Sequence, residues 1–127
     1  MGSDRLSLGA MLIPTNDGFF AFQNLRLPRG GKALVQYSIG FDAGSEPNDG
    51  RCINIPGTVC GGEDASLGVD GEGYVHIHGG IHAIGDPEPA AYDFRNPVAM
   101  ACIPWVSGRF HAQLFDPRGQ CGRFYAE

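Results

Sequence analysis

Three features of the sequence predict an all-β, antiparallel fold. The first is punctuation: 20 glycines and 9 prolines among 127 residues break long helices and suit short strands joined by turns. The second is period: residues 5–13 and 32–39 alternate apolar and polar side chains, as half-buried strands do. The third is that no segment carries the 3.6-residue apolar repeat of an amphipathic helix. The length suits one domain with a single core, spanning residues 1–127.

The elements follow in order. In residues 5–13, Leu6, Leu8, Ala10 and Leu12 share one face. Pro14-Thr15-Asn16-Asp17-Gly18 ends that strand, and Asp-Gly favours a tight turn. Residues 19–23 are short and aromatic, a second strand. After the turn Leu27-Pro28-Arg29-Gly30-Gly31, residues 32–39 place Ala33, Val35 and Tyr37 together. Residues 51–73 are dominated by glycine, proline and acids and read as a long loop, an uncommon feature in a compact domain unless it is functional or cross-linked. Tyr74-Val75-His76-Ile77-His78 is a strand with Val75 and Ile77 on one face and Tyr74, His76 and His78 on the other. Gly79-Gly80 reads as a hairpin turn, with residues 81–84 returning. Residues 98–103 form a further strand. The pattern weakens after Pro104, and residues 109–115 read as one last strand.

The net charge of -5 argues against nucleic acid, because a phosphate backbone needs a basic face. No run approaches the roughly 20 apolar residues of a membrane span, and Met1-Gly2-Ser3-Asp4 leads into the first strand without a signal-peptide pattern. The cysteine count of 4 is compatible with disulfides in an oxidising compartment. Cys52 and Cys60 flank Pro56-Gly57, so a bridge between them is expected. The state of Cys102 and Cys121 stays open.

Two constellations carry chemistry. Phe41-Asp42-Ala43-Gly44-Ser45-Glu46-Pro47-Asn48-Asp49-Gly50 gathers the carboxylates of Asp42, Glu46 and Asp49 in a loop without apolar period. Such a loop repels itself unless water, a base or a cation offsets the charge. Calcium suits it, because it takes six to eight oxygen ligands in irregular geometry. A solvated acidic turn is the competing reading. The second constellation is His76, His78 and His82. Residues two apart on a strand lie roughly 6.5–7 Å apart on one face, and His82 comes back across the turn. Three imidazoles could hold zinc or copper; the competing reading is a polar strand face bonded to neighbouring loops. No carboxylate is spaced as a general base, the serines lack an elbow motif, and Gly71-Glu72-Gly73 precedes a strand rather than opening a phosphate-binding helix.

Four blocks in order resemble the bacterial branch of the spondin domain family. They are Ser7 to Phe19 (SLGAMLIPTNDGF), Phe41-Asp42-Ala43-Gly44-Ser45-Glu46, Gly71 to Asp86 (GEGYVHIHGGIHAIGD) and Tyr92-Asp93-Phe94-Arg95-Asn96-Pro97-Val98-Ala99. The match covers about residues 4–103 and leaves 104–127 as an unmatched tail. The animal members are the amino-terminal domains of F-spondin and mindin, matrix proteins that bind other matrix and cell-surface molecules. The resemblance implies an antiparallel β-sandwich of the C-two type, here without the family's first strands, with calcium-binding loops at one end. Its metal-site acids fall on Asp17, Asp42 and Glu46; Asp49 is added from the loop itself. It implies a non-enzymatic adhesion or recognition module, extracellular or periplasmic, with a protein or glycan ligand. The alternatives are a zinc- or copper-binding protein or metalloenzyme built on His76, His78 and His82, and a self-assembling structural subunit. The open sheet edge is expected to be covered by the tail or to self-associate.

Overall fold

The computed structural model describes residues 4–30, 32–57, 60–62, 69–81, 85–87, 95–106, 109–110, 113–115 and 121–123, with side chains as far as Pro104. The fold is all-β. Its strands are β1 (Arg5–Met11), β2 (Gly18–Arg26), β3 (Ala33–Ser38), β4 (Gly40–Asp42), β5 (His76–Ile77), β6 (Ala99–Val106), β7 (Arg109–Phe110), β8 (Gln113–Phe115) and β9 (Cys121–Arg123). The helical element among the described residues is a 3-10 turn over Cys52–Asn54. One sheet has the order β1-β2-β4-β5; the other has the order β3-β6-β8-β9, with β7 also on β6. The chain forms two compact units: Met1–Gly9, Ala21–Ile39 and Asn96–Glu127 make the first, Ala10–Phe20 and Gly40–Arg95 the second.

The first unit is organised around β6. It pairs antiparallel with β3 from Ala33 opposite Pro104 to Ser38 opposite Ala99. On its other edge it pairs with β8 at Met100–Cys102. The side chains alternate, with Ala99, Ala101 and Ile103 buried and Met100 and Cys102 half-buried. The expected end of this strand at Ile103 is corrected: β6 runs through Pro104 to Val106. Proline lacks a donor N–H but keeps its acceptor, so it costs one potential ladder bond rather than the strand. Residues 109–115, expected as one strand, pair with β6 in a single antiparallel register, β7 opposite Trp105–Val106 and β8 opposite Met100–Cys102, with residues 111–112 outside the described ones. The tail thus adds β8 to β6 and β9 to β8. Ser38 is buried, and its hydroxyl donates to the carbonyls of Ala21 (2.9 Å) and Ile39 (3.0 Å). Val35 and Tyr37, grouped by the sequence pattern, lie on the exposed face of β3. Cys102 is a free thiol.

The second unit begins with the turn between β1 and β2. Leu12 N–H donates to the Gly18 carbonyl at 2.8 Å. The buried Thr15 hydroxyl donates to the Leu12 carbonyl and accepts Gly18 N–H at 3.0 Å. A Cβ on Gly18 would lie 2.5 Å from Thr15 Oγ1, so this turn needs glycine. β2 then pairs antiparallel with β4, Phe19 opposite Phe41 and Gly18 opposite Asp42. The rings of Phe19 and Phe41 stand 5.5 Å apart. Residues 40–42, read as the start of a loop, are therefore a strand, held by this cross-strand aromatic pair. β4 pairs with β5, Asp42 opposite His76. The expected hairpin partner at residues 81–84 lies mostly outside the described residues.

Cys52 and Cys60 are joined by a disulfide. It fastens the segment that carries buried Ile55, whose carbonyl accepts Gly62 N–H at 3.1 Å. The same segment is tied across to residues 85–87: Cys52 N–H donates to Asp86 Oδ2 at 2.8 Å, and Asp86 N–H to the Gly50 carbonyl at 2.9 Å. The long irregular stretch is thus held by one covalent link and backbone bonds rather than by sheet pairing.

Two outcomes follow. Ile103→Ala empties a fully buried site and should cost about 2–4 kcal/mol of stability, read as a lower urea midpoint at unchanged slope. Replacing both Cys52 and Cys60 by serine releases a short loop and should cost about 2–3 kcal/mol. Peptide mapping without reductant should recover the two cysteines linked; two free thiols there would remove the strap from the description.

Candidate metal centre

Asp42 is the most deeply buried carboxylate among the described residues, 1% exposed. Its position follows from register: it closes β4, with Gly18 opposite on one side and His76 on the other. Gly18 lacks a side chain, and Thr15 and His78 pack into the space a Cβ there would take. Gly44 N–H donates to Asp42 Oδ1 at 2.8 Å. Gly44 has φ +67°, and a Cβ there would overlap the Tyr74 carbonyl oxygen. Glycine is required at this bend for both its conformation and its lack of volume.

Across from Asp42, His76 Nδ1 lies 3.9 Å from Asp42 Oδ1 and 3.3 Å from the Tyr74 carbonyl. The tautomer decides which ring nitrogen carries the lone pair. Glu72 arrives from the segment just before β5. Gly73 turns the chain at φ +77° and its N–H donates to the Gly44 carbonyl at 2.9 Å. Asn48 Nδ2 donates to Glu72 Oε1 at 2.9 Å and orients that carboxylate. Asp42, Glu72 and His76 offer one ligand atom each, all within 4.8 Å of one another. Two carboxylates and one imidazole at this spacing could hold a divalent ion, with coordination positions left for other ligands.

The other acids of the loop are engaged differently. Asp17 Oδ2 accepts Ser45 N–H (2.8 Å), Ser45 Oγ–H (2.9 Å) and Glu46 N–H (3.0 Å). This carboxylate shapes the 43–46 bend by satisfying its donors. Its Oδ1 is buried and has no hydrogen-bond partner, the kind of atom that water or an ion satisfies. Glu46 contributes its N–H to Asp17 and lies outside the group of three. Asp49 accepts Arg51 N–H at 2.9 Å and Asn54 Nδ2–H at 3.1 Å, which commits it to the 3-10 turn.

The histidines also separate. His76 joins Asp42 and Glu72. His78 Nδ1 accepts Gly80 N–H at 2.9 Å, so in the neutral ring the proton sits on Nε2. His82 lies outside the described residues. The strand is oriented against simple hydropathy: Val75 and Ile77 are 58% and 59% exposed, while His76 and His78 are half-buried. Sequence reasoning kept the acidic loop and the histidine strand apart and missed Glu72. The available signal was an acid between two glycines, four residues before His76.

A cavity of about 320 Å³ opens beside Asp42 and His76. Buried Pro14 and Ile55 line it, as do Ile77, Ile81 and Pro87. No protein-family model, curated protein or solved structure matches the chain.

Asp17→Ala should leave the donors of Ser45 and Glu46 unmatched and cost about 2 kcal/mol, measured by denaturant unfolding. A variant as stable as its parent would show that the 43–46 bend keeps its shape without that carboxylate.

Proposed function

We propose that this chain is a metal-binding recognition module without enzymatic activity, working outside the cytoplasm. The observation that carries the metal half is the convergence of Asp42, Glu72 and His76 within 4.8 Å. Burial of Asp42 adds support, because a carboxylate removed from water needs donors or a cation to offset the lost hydration. The recognition half comes from the resemblance to the spondin domain family, which implies a sandwich of the C-two type and an extracellular protein or glycan ligand. The Cys52–Cys60 disulfide is compatible with an oxidising compartment. No helix of the described residues is long and apolar enough to cross a membrane.

Two ions are in contention. Calcium is what the resemblance implies, and the partnerless Oδ1 of Asp17 favours a hard cation near the acidic loop. Zinc is favoured by the donor set itself, because imidazole nitrogen suits zinc and calcium prefers oxygen throughout. In both readings Asp42 is the central ligand.

Calorimetric titration of chelator-treated protein with calcium and with zinc tests the reading. At least one ion should bind and raise the thermal midpoint, with a gain of about 2.7 kcal/mol at a hundredfold excess over Kd. Asp42→Ala should abolish binding of either ion. His76→Ala should weaken zinc far more than calcium. If neither ion binds the folded protein at millimolar concentration, the metal reading fails.

A further inference from the structure

We propose that the cavity beside Asp42 and His76 takes a small carboxylic acid with an apolar body, whose carboxylate completes the coordination of an ion held by Asp42, Glu72 and His76. This rests on the metal reading above and adds a ligand class to it. The first support is position. Asp42 and His76 line the cavity whereas Glu72 does not, so an ion held by the group of three would border the cavity. Three protein ligands leave at least one coordination position open, the arrangement that admits an exogenous ligand.

The second support is the chemistry of the walls. Pro14 and Ile55, both buried, form the depth of the cavity, and Ile77, 59% exposed, stands at its rim. Part of the lining is backbone: Gly50 and Gly85 approach so closely that a Cβ on Gly85 would overlap the Gly50 carbonyl. The polar side chains that also line the cavity are engaged within the protein: Thr15 with Leu12 and Gly18, Asn16 Nδ2 with the Pro47 carbonyl, Asn48 Nδ2 with Glu72, and His78 Nδ1 with Gly80 N–H, which leaves few side-chain hydrogen bonds for a sugar with hydroxyls all round. Walls of proline, isoleucine and glycine favour a hydrocarbon body that leaves water. The size agrees, because ligand pockets run from about 300 to 1,000 Å³ and this cavity lies at the small end.

The third support is charge. Asp42 and Glu72 make this border of the cavity acidic, and it repels a carboxylate when no ion is present. A divalent ion offsets both charges and turns the same border into a carboxylate acceptor. Binding of acid and ion is therefore coupled, each raising the affinity of the other by the same factor. A free acid and the carboxyl-terminal residue of a peptide share this chemistry.

The test uses the whole chain, titrated first with zinc and separately with calcium, then with N-acetyl-leucine, N-acetyl-leucinamide and a tetrapeptide ending in leucine. Acid binding is expected with ion and not with chelator, and the amide is expected to bind about a hundredfold more weakly or not at all. Tetrapeptide binding as tight as or tighter than that of the acid assigns a peptide terminus as the source; weaker binding assigns a free acid. Ile77→Ala, at an exposed position, should weaken the acid about tenfold and leave ion affinity unchanged. If an ion binds and the acid does not, or if acid and amide bind alike, this inference falls and the metal reading stands. If no ion binds, both fall. Unchanged acid affinity in Ile77→Ala would also overturn it, by showing that the apolar wall is not used.

Discussion

The burial of the Asp42 carboxylate is the constraint on which the second unit depends. A carboxylate removed from water is costly unless donors or positive charge surround it. The chain meets that demand from several directions. Gly44 bends so that its N–H reaches Oδ1. Register sets His76 opposite on one side and Gly18 on the other, where Thr15 and His78 pack close. Glu72 adds a second negative group within 4.8 Å, which raises the electrostatic cost rather than lowering it. Acids gathered in this way work against folding, a cost that the cation proposed above would offset.

The acids of the 41–50 region and its neighbours divide by what they accept. Asp17, through Oδ2, and Asp49 accept from backbone N–H groups and side-chain donors of the loop itself. Those carboxylates hold the polypeptide in place. Asp42 accepts Gly44 N–H and Glu72 accepts Asn48 Nδ2–H, which leaves each carboxylate lone pairs for another partner. On the proposed metal reading, the acidic loop is a structural set and a ligand set laid over one another.

Much of the fold was legible because alternation and turn chemistry agree. The strands at residues 5–11 and 33–38 show period 2, the one at 18–26 shows only as an aromatic run over 19–23, and glycine or proline follows within three residues of each end. The spacing of Cys52 and Cys60 around Pro56-Gly57 made their bond readable. Residues 40–42 were not legible as a strand, since a three-residue strand is too short to show a period and depends on partners far away in sequence. Pro104 masked the end of β6, because its effect on a ladder depends on whether its missing donor was needed. At the candidate site, Asp42 and His76 were visible separately. Their meeting depends on the β4–β5 register, which no local pattern encodes. Glu72 was hidden because its placement comes from the backbone turn at Gly73 and the contact with Gly44.

That contact gives two glycines an influence their composition conceals. A Cβ at Gly71 would overlap the Gly44 carbonyl, and one at Gly44 would overlap the Tyr74 carbonyl. The segment bearing Glu72 and the bend bearing Asp42 therefore meet main chain to main chain, with no side chain between them. Adding a methyl group at either position pries the two carboxylates apart, although neither residue has an atom that could ligate an ion. In a survey of tolerated substitutions, these glycines would behave as members of the site, while the large apolar Val75 beside them would vary as surface positions do.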